Sequence, residues 1–408
     1  MFHWLKKLIQ NNPMKEFKTY KVVIAGAGGI GRAVGLILAE YADFNLEISL
    51  GDRDVNIAKQ AADWINCGNS NGIKASAFHF SAMYESLPGN VFAEADIVLD
   101  CLPGAEAPRI GTIARKYNLH YVNLTEYVSE TNQLIKLAEN APTGFVLQTG
   151  LAPGFINILA NSLYHEFVKQ YGIKEVEYIG MKVGALTENV EAPHFYGFTW
   201  SPIGVATEYL KDAYVVRNYK KSVMPSLTEQ YPVIINGTTY EESFTSGGAA
   251  DLPDAFEGIA RNLDYKTLRY PGHYDWVKGI LSCAPDNHDK VGYLEKTMLS
   301  TVPAMDNDMV IIYAIVKGFD VSGCLRSVEK AFKIYPGMVG NARLRAIQLT
   351  TAAPMAECAR MLLLKNLSGA ILQSQINPEE FLNGPFVQAA YYGNKAGGNV
   401  NDSITVAA

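Results

Sequence analysis

The sequence predicts a two-domain α/β protein, a doubly wound parallel sheet followed by a second α+β domain. Three observations carry that reading. A glycine-rich turn, Gly26-Ala27-Gly28-Gly29-Ile30-Gly31, joins an apolar strand to a helix. Short β-rich runs alternate with helical stretches up to residue 150, and beyond it glycine, proline and aromatics become dense between 191 and 273. At 408 residues the chain also exceeds what one hydrophobic core usually supports.

Residues 20–25 read as a buried strand and 31–41 as a helix with small and apolar residues along one side. A strand at 46–50 and a helix at 56–66 follow, then a strand at 96–101 and a helix at 107–117. Strands at 120–124 and 144–148 flank a helix at 130–139. Strands spaced by helices of this length pair in parallel, since each crossover lays its helix on a face of the sheet. The first domain is therefore 18–150, and 151–339 forms the second. The second opens with a helix at 155–170 and carries strand-like runs at 175–183, 233–235 and 309–316, which predict an antiparallel sheet with long functional loops. A helix at 342–364, rich in Ala, Leu, Met and Arg, lies in a C-terminal segment (340–395) expected to return to the first domain.

Composition narrows the function. Hydrophobic residues make up 48% and charged residues 19%, a globular mix, and the net charge is −6 without any Lys/Arg block. Nucleic acid and anionic membrane are thereby excluded as expected partners, because both require a basic footprint. The cysteines, Cys67, Cys101, Cys283, Cys324 and Cys358, are scattered with no CxxC spacing, so neither a metal site nor a disulfide framework is expected. A reducing, cytoplasmic setting fits. The apolar run at the N-terminus is short and broken by Lys6 and Lys7, and residues 1–17 are expected to be peripheral.

The glycine turn is the Rossmann arrangement. Gly26 permits the tight turn, Gly28 lets the backbone approach a pyrophosphate, and Gly31 lets the helix pack close to the strand. Gly29 and Ile30 open the helix, whose free N–H groups and partial positive charge face an anion. Asp52 ends the second strand about 20 residues beyond the last glycine, where a carboxylate binds the adenosine ribose. Its alternative role is a helix cap or turn. Asp52 disfavours a 2′-phosphate and so points to NAD, while Arg53 beside it keeps NADP possible. The exit Asp100-Cys101-Leu102-Pro103-Gly104 either lines the nicotinamide ribose or is an ordinary strand-to-loop exit.

Several stretches resemble the saccharopine dehydrogenase-like family, which includes saccharopine reductases, lysine 6-dehydrogenases and carboxynorspermidine synthases. They are the glycine turn, Gly150-Leu151-Ala152-Pro153-Gly154-Phe155, Phe244-Thr245-Ser246-Gly247-Gly248, and the run Leu263-Asp264-Tyr265-Lys266-Thr267-Leu268-Arg269-Tyr270-Pro271-Gly272-His273. The last is the most specific and is similar to the lysine 6-dehydrogenase branch, as is Thr199-Trp200-Ser201-Pro202 with Glu208-Tyr209. The resemblance spans about residues 20–390. It implies a second domain for substrate and dimerisation, a homodimer, and oxidation or reduction at the carbon–nitrogen bond of a small zwitterionic amino acid. Two positions depart from the family's pattern. Asn123, among the expected cofactor contacts, stands where the family usually has Asp, and Ala152 replaces the Asp of saccharopine reductases. The substrate implied is lysine-like rather than saccharopine itself.

Chemistry at a carbon–nitrogen bond needs a carboxylate anchor and a proton carrier. The planar fork of Arg269 suits the anchor, or else forms a surface or inter-domain salt bridge. His273 is the expected proton carrier or else a polar cap in its turn, with Lys266 and Tyr270 as lesser catalytic candidates. Glu126 either recognises a distal ammonium or begins the next helix. Trp200 and Ser201 are expected at the substrate, in a loop with His194, Phe195, Tyr196 and Phe198 that closes over it or packs as core or dimer interface. The alternatives are a reductase that condenses an aldehyde with an amine, such as carboxynorspermidine synthase, or an inactive dinucleotide-binding sensor.

Overall fold

Alternation puts Val22 and Ile24 on one face of the first strand and Val23 and Ala25 on the other, and all four are buried. A strand buried on both faces needs helices on both sides. The computed structural model, which describes residues 18–81, 89–285 and 289–393, provides them. The strands β1 (Tyr20–Ala25), β2 (Leu46–Asp52), β3 (Ala75–His79), β4 (Ile97–Asp100), β5 (His120–Asn123) and β6 (Gly144–Val146) are all parallel, in the order β6-β5-β4-β1-β2-β3. Val22 and Ile24 pack with helices Gly29–Tyr41, Val55–Gly68 and Ala346–Lys365; Val23 and Ala25 pack with Ala107–Tyr117 and Val128–Ala138. The sheet is doubly wound. Its order reverses between β1 and β4, which opens a cleft at the carboxyl ends of the strands.

The C-terminal segment adds a seventh strand. The long helix begins at Ala346, not at 342, because 342–344 already pairs with 337–339 in a hairpin. After the helix, a short strand at Gly369–Ile371 pairs in parallel with β6 and becomes the sheet's outer strand.

The second sheet contains β7 (Val176–Thr187), β8 (Ala213–Arg217), β9 (Lys220–Met224), β10 (Tyr231–Ile235), β11 (Thr238–Phe244), β12 (Ala260–Arg269), β13 (Asp308–Phe319) and β14 (Leu325–Ile334). It is mixed, not antiparallel as expected. β12 lies parallel to β7, with Lys266 opposite Lys182, while β13 flanks β7 antiparallel. The long excursion between β7 and β12 allows this, since parallel neighbours need an extended crossover. Helix Phe155–Tyr171 covers one face, with Phe155 against Phe332 and Phe167 over Gly318. Among the described residues no helix is long and apolar enough to cross a membrane. Residues 1–17 lie outside the described residues.

Candidate active site

The glycine turn has the geometry that its residues suggest. Gly26 sits at φ +99, and an added Cβ there would come 2.9 Å from the carbonyl oxygen of Cys101. A Cβ on Gly31 would come 1.8 Å from the carbonyl oxygen of Gly26, so only glycine lets strand and helix meet. At Gly28 a Cβ would touch no protein atom within 4 Å, which is open space beside the helix start. No side chain caps the first turn of Gly29–Tyr41 and no acidic residue lies in it. These free amides suit a pyrophosphate.

Asp52 ties this turn to β2. Its Oδ2 accepts a hydrogen bond from the Ala27 N–H (3.0 Å) and its Oδ1 accepts one from the Asp54 N–H (3.0 Å). The cap of the next helix is Asp54, which accepts from the Asn56 N–H, so Asp52 is not spent on capping. Arg53 is exposed. Cys101 leaves β4 with its thiol against Met355, and burial pushes that thiol's pKa up, which makes it a packing group. Leu102 packs where a Gly26 Cβ would stand, and Pro103 leads into a short turn at Gly104–Glu106. Asn123 is 1% exposed, and its Oδ1 accepts from the Gln148 N–H (2.9 Å). It joins β5 to the exit of β6.

A cavity of about 330 Å³ lies between the two sheets, at the carboxyl end of the first. Gly29 and Ile30 line it from the glycine turn, Glu126 from the loop after β5, and Trp200, Ser201 and Glu208 from around helix Pro202–Leu210. From β12 come Tyr265, Thr267 and Arg269. Arg345, just before the C-terminal helix, completes the rim next to Gly29.

Period-two alternation decides which residues of the β12 run reach this cavity. Arg269, Thr267 and Tyr265 do. Lys266 points to the other face, where it is buried against the Glu242 carboxylate (3.1 Å) and donates to the Glu229 carbonyl oxygen (3.1 Å). Tyr270 packs 5.6 Å from the Tyr240 ring, outside the cavity. Both lose the catalytic roles expected of them.

His273 also changes role. It is fully buried beneath the Tyr196 and Tyr209 rings and does not line the cavity. Its Nδ1 donates to the His194 carbonyl oxygen (2.7 Å), and its Nε2 accepts from the Tyr209 hydroxyl (2.9 Å), which itself accepts from Arg269 Nε (2.7 Å). Burial, and then the neighbouring Arg269 cation, lower the imidazole's pKa to about 3. A neutral ring with both nitrogens engaged holds Arg269 in place through Tyr209 instead of carrying protons. Tyr196 and Phe198 pack in the adjoining core, so of the aromatic loop only Trp200 borders the cavity.

Glu208 is the residue that sequence reasoning quoted but gave no role. It is an isolated acid in an apolar helix, 7% exposed, on the cavity wall. Burial, then the nearby Glu126 charge, hold its carboxyl well above the usual range despite Arg269. Burial raises Glu126 to about 7, only partly offset by Lys211. Thr199 adds a buried hydroxyl without a partner on the same wall. Two carboxyls, Glu126 and Glu208, and two guanidiniums, Arg269 and Arg345, suit a small molecule bearing both charges. Among the described residues no cluster of His, Cys, Asp and Glu is placed to hold a metal.

Residues 22–147 match the saccharopine dehydrogenase NADP binding domain, and 150–389 match the saccharopine dehydrogenase C-terminal domain. The chain belongs to the saccharopine dehydrogenase family. Its first domain is the family's dinucleotide-binding domain. It is 24% identical over 280 residues to the mitochondrial alpha-aminoadipic semialdehyde synthase of Bos taurus, covering 66% of this chain and 29% of that protein. The Mus musculus protein of the same name is 24% identical over 303 residues, 71% of this chain and 31% of that one. The chain thus spans about three-tenths of the length of these curated relatives. Its fold is that of saccharopine dehydrogenase (L-Glu forming) from Saccharomyces cerevisiae, at TM-score 0.69 and 16% identity over 91% of this chain and 96% of that one. Homospermidine synthase from Legionella pneumophila, solved with NAD, superimposes at TM-score 0.64 and 12% identity over 96% and 97% of the two chains.

Proposed function

We propose that this member of the family transfers a hydride at the carbon–nitrogen bond of a small zwitterionic amino acid, lysine-like or saccharopine-like. The carrying observation is that Arg269, Glu126 and Glu208 line one cavity beneath Gly29 and Ile30. The turn at 26–31 would hold the pyrophosphate of a nicotinamide dinucleotide and Asp52 its adenosine ribose, with NAD favoured over NADP by the Asp52 carboxylate. When bound, the nicotinamide accepts or supplies the hydride.

The chain's own groups do the rest. Arg269 spends Nε on Tyr209 and Nη1 on the Leu268 carbonyl oxygen, and among the described residues Nη2 has no hydrogen-bond partner. Nη2 is the donor left for a substrate carboxylate. Glu126 and Glu208 face the amine. Burial and mutual repulsion make the pair hold a proton more readily than exposed glutamates, so either can take the proton that the amine gives up on oxidation. The Trp200 ring borders the same space and limits water.

A second reading has support from the two carboxyls, Glu126 and Glu208, which line the cavity with Arg269 and Arg345 and can each take an ammonium group. It is the reductive direction, condensing an amine with an aldehyde and reducing the imine. A homodimer in the cytoplasm completes the proposal, to be checked by light scattering and by imaging the tagged chain. The deciding assay follows reduced-nicotinamide absorbance with lysine, saccharopine and other amino acids, then with amine and aldehyde pairs in reverse. Turnover of an amino acid that Arg269→Gln weakens through KM supports the proposal. A cofactor that binds while no amine or imine reacts leaves the chain a sensor and refutes it.

A further inference from the structure

Glu126 borders more than one space. Glu126 and Tyr265 also wall a narrow space of about 30 Å³, shared with Val128, Gln148, Tyr214 and Ala250. The last four residues line a further chamber of about 260 Å³, with Thr131, Asn132, Lys221, Asp251 and Asp254 on its remaining sides. Gly247 brings the wall of the neck close, since a Cβ there would stand 3.2 Å from the Cβ of Glu126.

The charges of this chamber do not cancel. Lys221 Nζ donates to both oxygens of Asp254, at 2.6 and 2.7 Å, and so closes that pair. Asp251 receives only neutral donors, the N–H and the hydroxyl of Ser374 (3.1 and 2.5 Å). One acid is left uncompensated. Beside it Gln148 is more than nine-tenths buried, 6% exposed, and lines the chamber. Gln148 is also held at φ +63, a conformation that costs a non-glycine residue energy and is kept only where the surroundings enforce it. An ammonium group has three donors and no acceptor. This chamber offers two acceptors of matching kind: the Asp251 carboxylate and the Gln148 amide oxygen. An anion would meet one lysine that is already paired.

We propose that the second chamber is a subsite for a distal ammonium of the substrate, reached through the neck at Glu126, with Asp251 and Gln148 as its specificity determinants. The proposal rests on reading the first cavity as the active site. It narrows the substrate class to molecules carrying a primary ammonium some way along the chain from the reacting carbon–nitrogen bond.

The test is a calorimetric titration of the full chain, saturated with NAD, with α,ω-diamines from diaminopropane to diaminooctane and with the n-alkylamines of the same lengths. At one chain length the diamine binds about ten-fold or more tightly than its monoamine, the size of a hydrogen bond to a charged group. Asp251→Asn reduces that ratio towards one. So does Val128→Phe, which narrows the neck from a half-exposed helix position without touching a charge; thermal melts confirm that both variants fold. Diamines and monoamines that bind alike at every length, or a ratio that survives both variants, overturn the second subsite and leave the first cavity standing. Failure of every amine to bind overturns the reading of the first cavity as well.

Discussion

Glu126→Gln tests the buried acid pair most directly, because it predicts a gain in stability together with a loss of activity. Glutamine keeps the shape of the protonated acid and removes its charge. In the native chain burial raises the Glu126 pKa from 4.5 to about 7. At about 1.4 kcal/mol per pH unit, that gap corresponds to about 3 kcal/mol. Below pH 4.5 folded and unfolded chains both hold the proton, and Glu126 costs nothing. Between 4.5 and about 7 only the folded chain holds it, so stability falls as pH rises. Above that range the folded chain carries the full buried charge. Denaturant titrations at pH 5 and pH 8 therefore find the variant close to the native chain at pH 5. At pH 8 it is more stable, by up to about 3 kcal/mol, while turnover of any amino-acid substrate falls. Equal stabilities at pH 8 would mean that Glu126 is solvated, and the acid-pair argument would fail with it.

Other substitutions test separate parts. Gly31→Ala places a Cβ on the Gly26 carbonyl, costs about 1–3 kcal/mol of stability and abolishes saturable reduced-nicotinamide fluorescence; a native-like titration refutes the close-approach argument. Asp52→Ala frees the Ala27 amide and weakens NADH about ten-fold while affecting NADPH less; an equal loss for both refutes its role at the ribose. His273→Gln leaves the pH profile of kcat/KM unmoved across neutral pH and raises KM for a carboxylate substrate, whereas loss of a titrating limb restores His273 as the proton carrier. Lys266→Met leaves the buried Glu242 short of one cation and destabilises the chain by about 3 kcal/mol. Lost turnover in a chain of unchanged stability shows instead that Lys266 acts in catalysis.

How much was readable in the chain followed from the kind of signal. The first sheet announced itself through strands buried on both faces and a turn in which Gly26 and Gly31 have a steric reason, as the contact between Gly31 and the Gly26 carbonyl shows. β3 did not, being five residues with an uneven burial pattern. The parallel pairing of β7 with β12 is a long-range choice that no local pattern encodes. In the site, the chemistry of Arg269, Glu126, Trp200 and Ser201 was legible and all four border the cavity. His273 and Lys266 were misread because residue type was weighed ahead of direction. Alternation along β12, counted from Arg269, places Lys266 on the opposite face, and the turn after it carries His273 beneath Tyr209. The same counting would have pointed to Thr267 and Tyr265.

The short strand Gly369–Ile371 bears on the order in which the molecule is made. It closes the outer edge of a sheet whose other strands all precede residue 147, and helix Ala346–Lys365 covers one face of that sheet. A nascent chain that has emerged only as far as β6 therefore has every residue of its dinucleotide turn but lacks part of the apolar cover and one hydrogen-bonded border. Completion waits until more than two hundred further residues have been synthesised, so the nucleotide half must stay partly unclosed while the second sheet forms. Expressed alone, residues 18–150 would present β6 as an open edge able to pair with other copies. A fragment that includes 340–393 in trans is the smallest piece in which this sheet has all its strands.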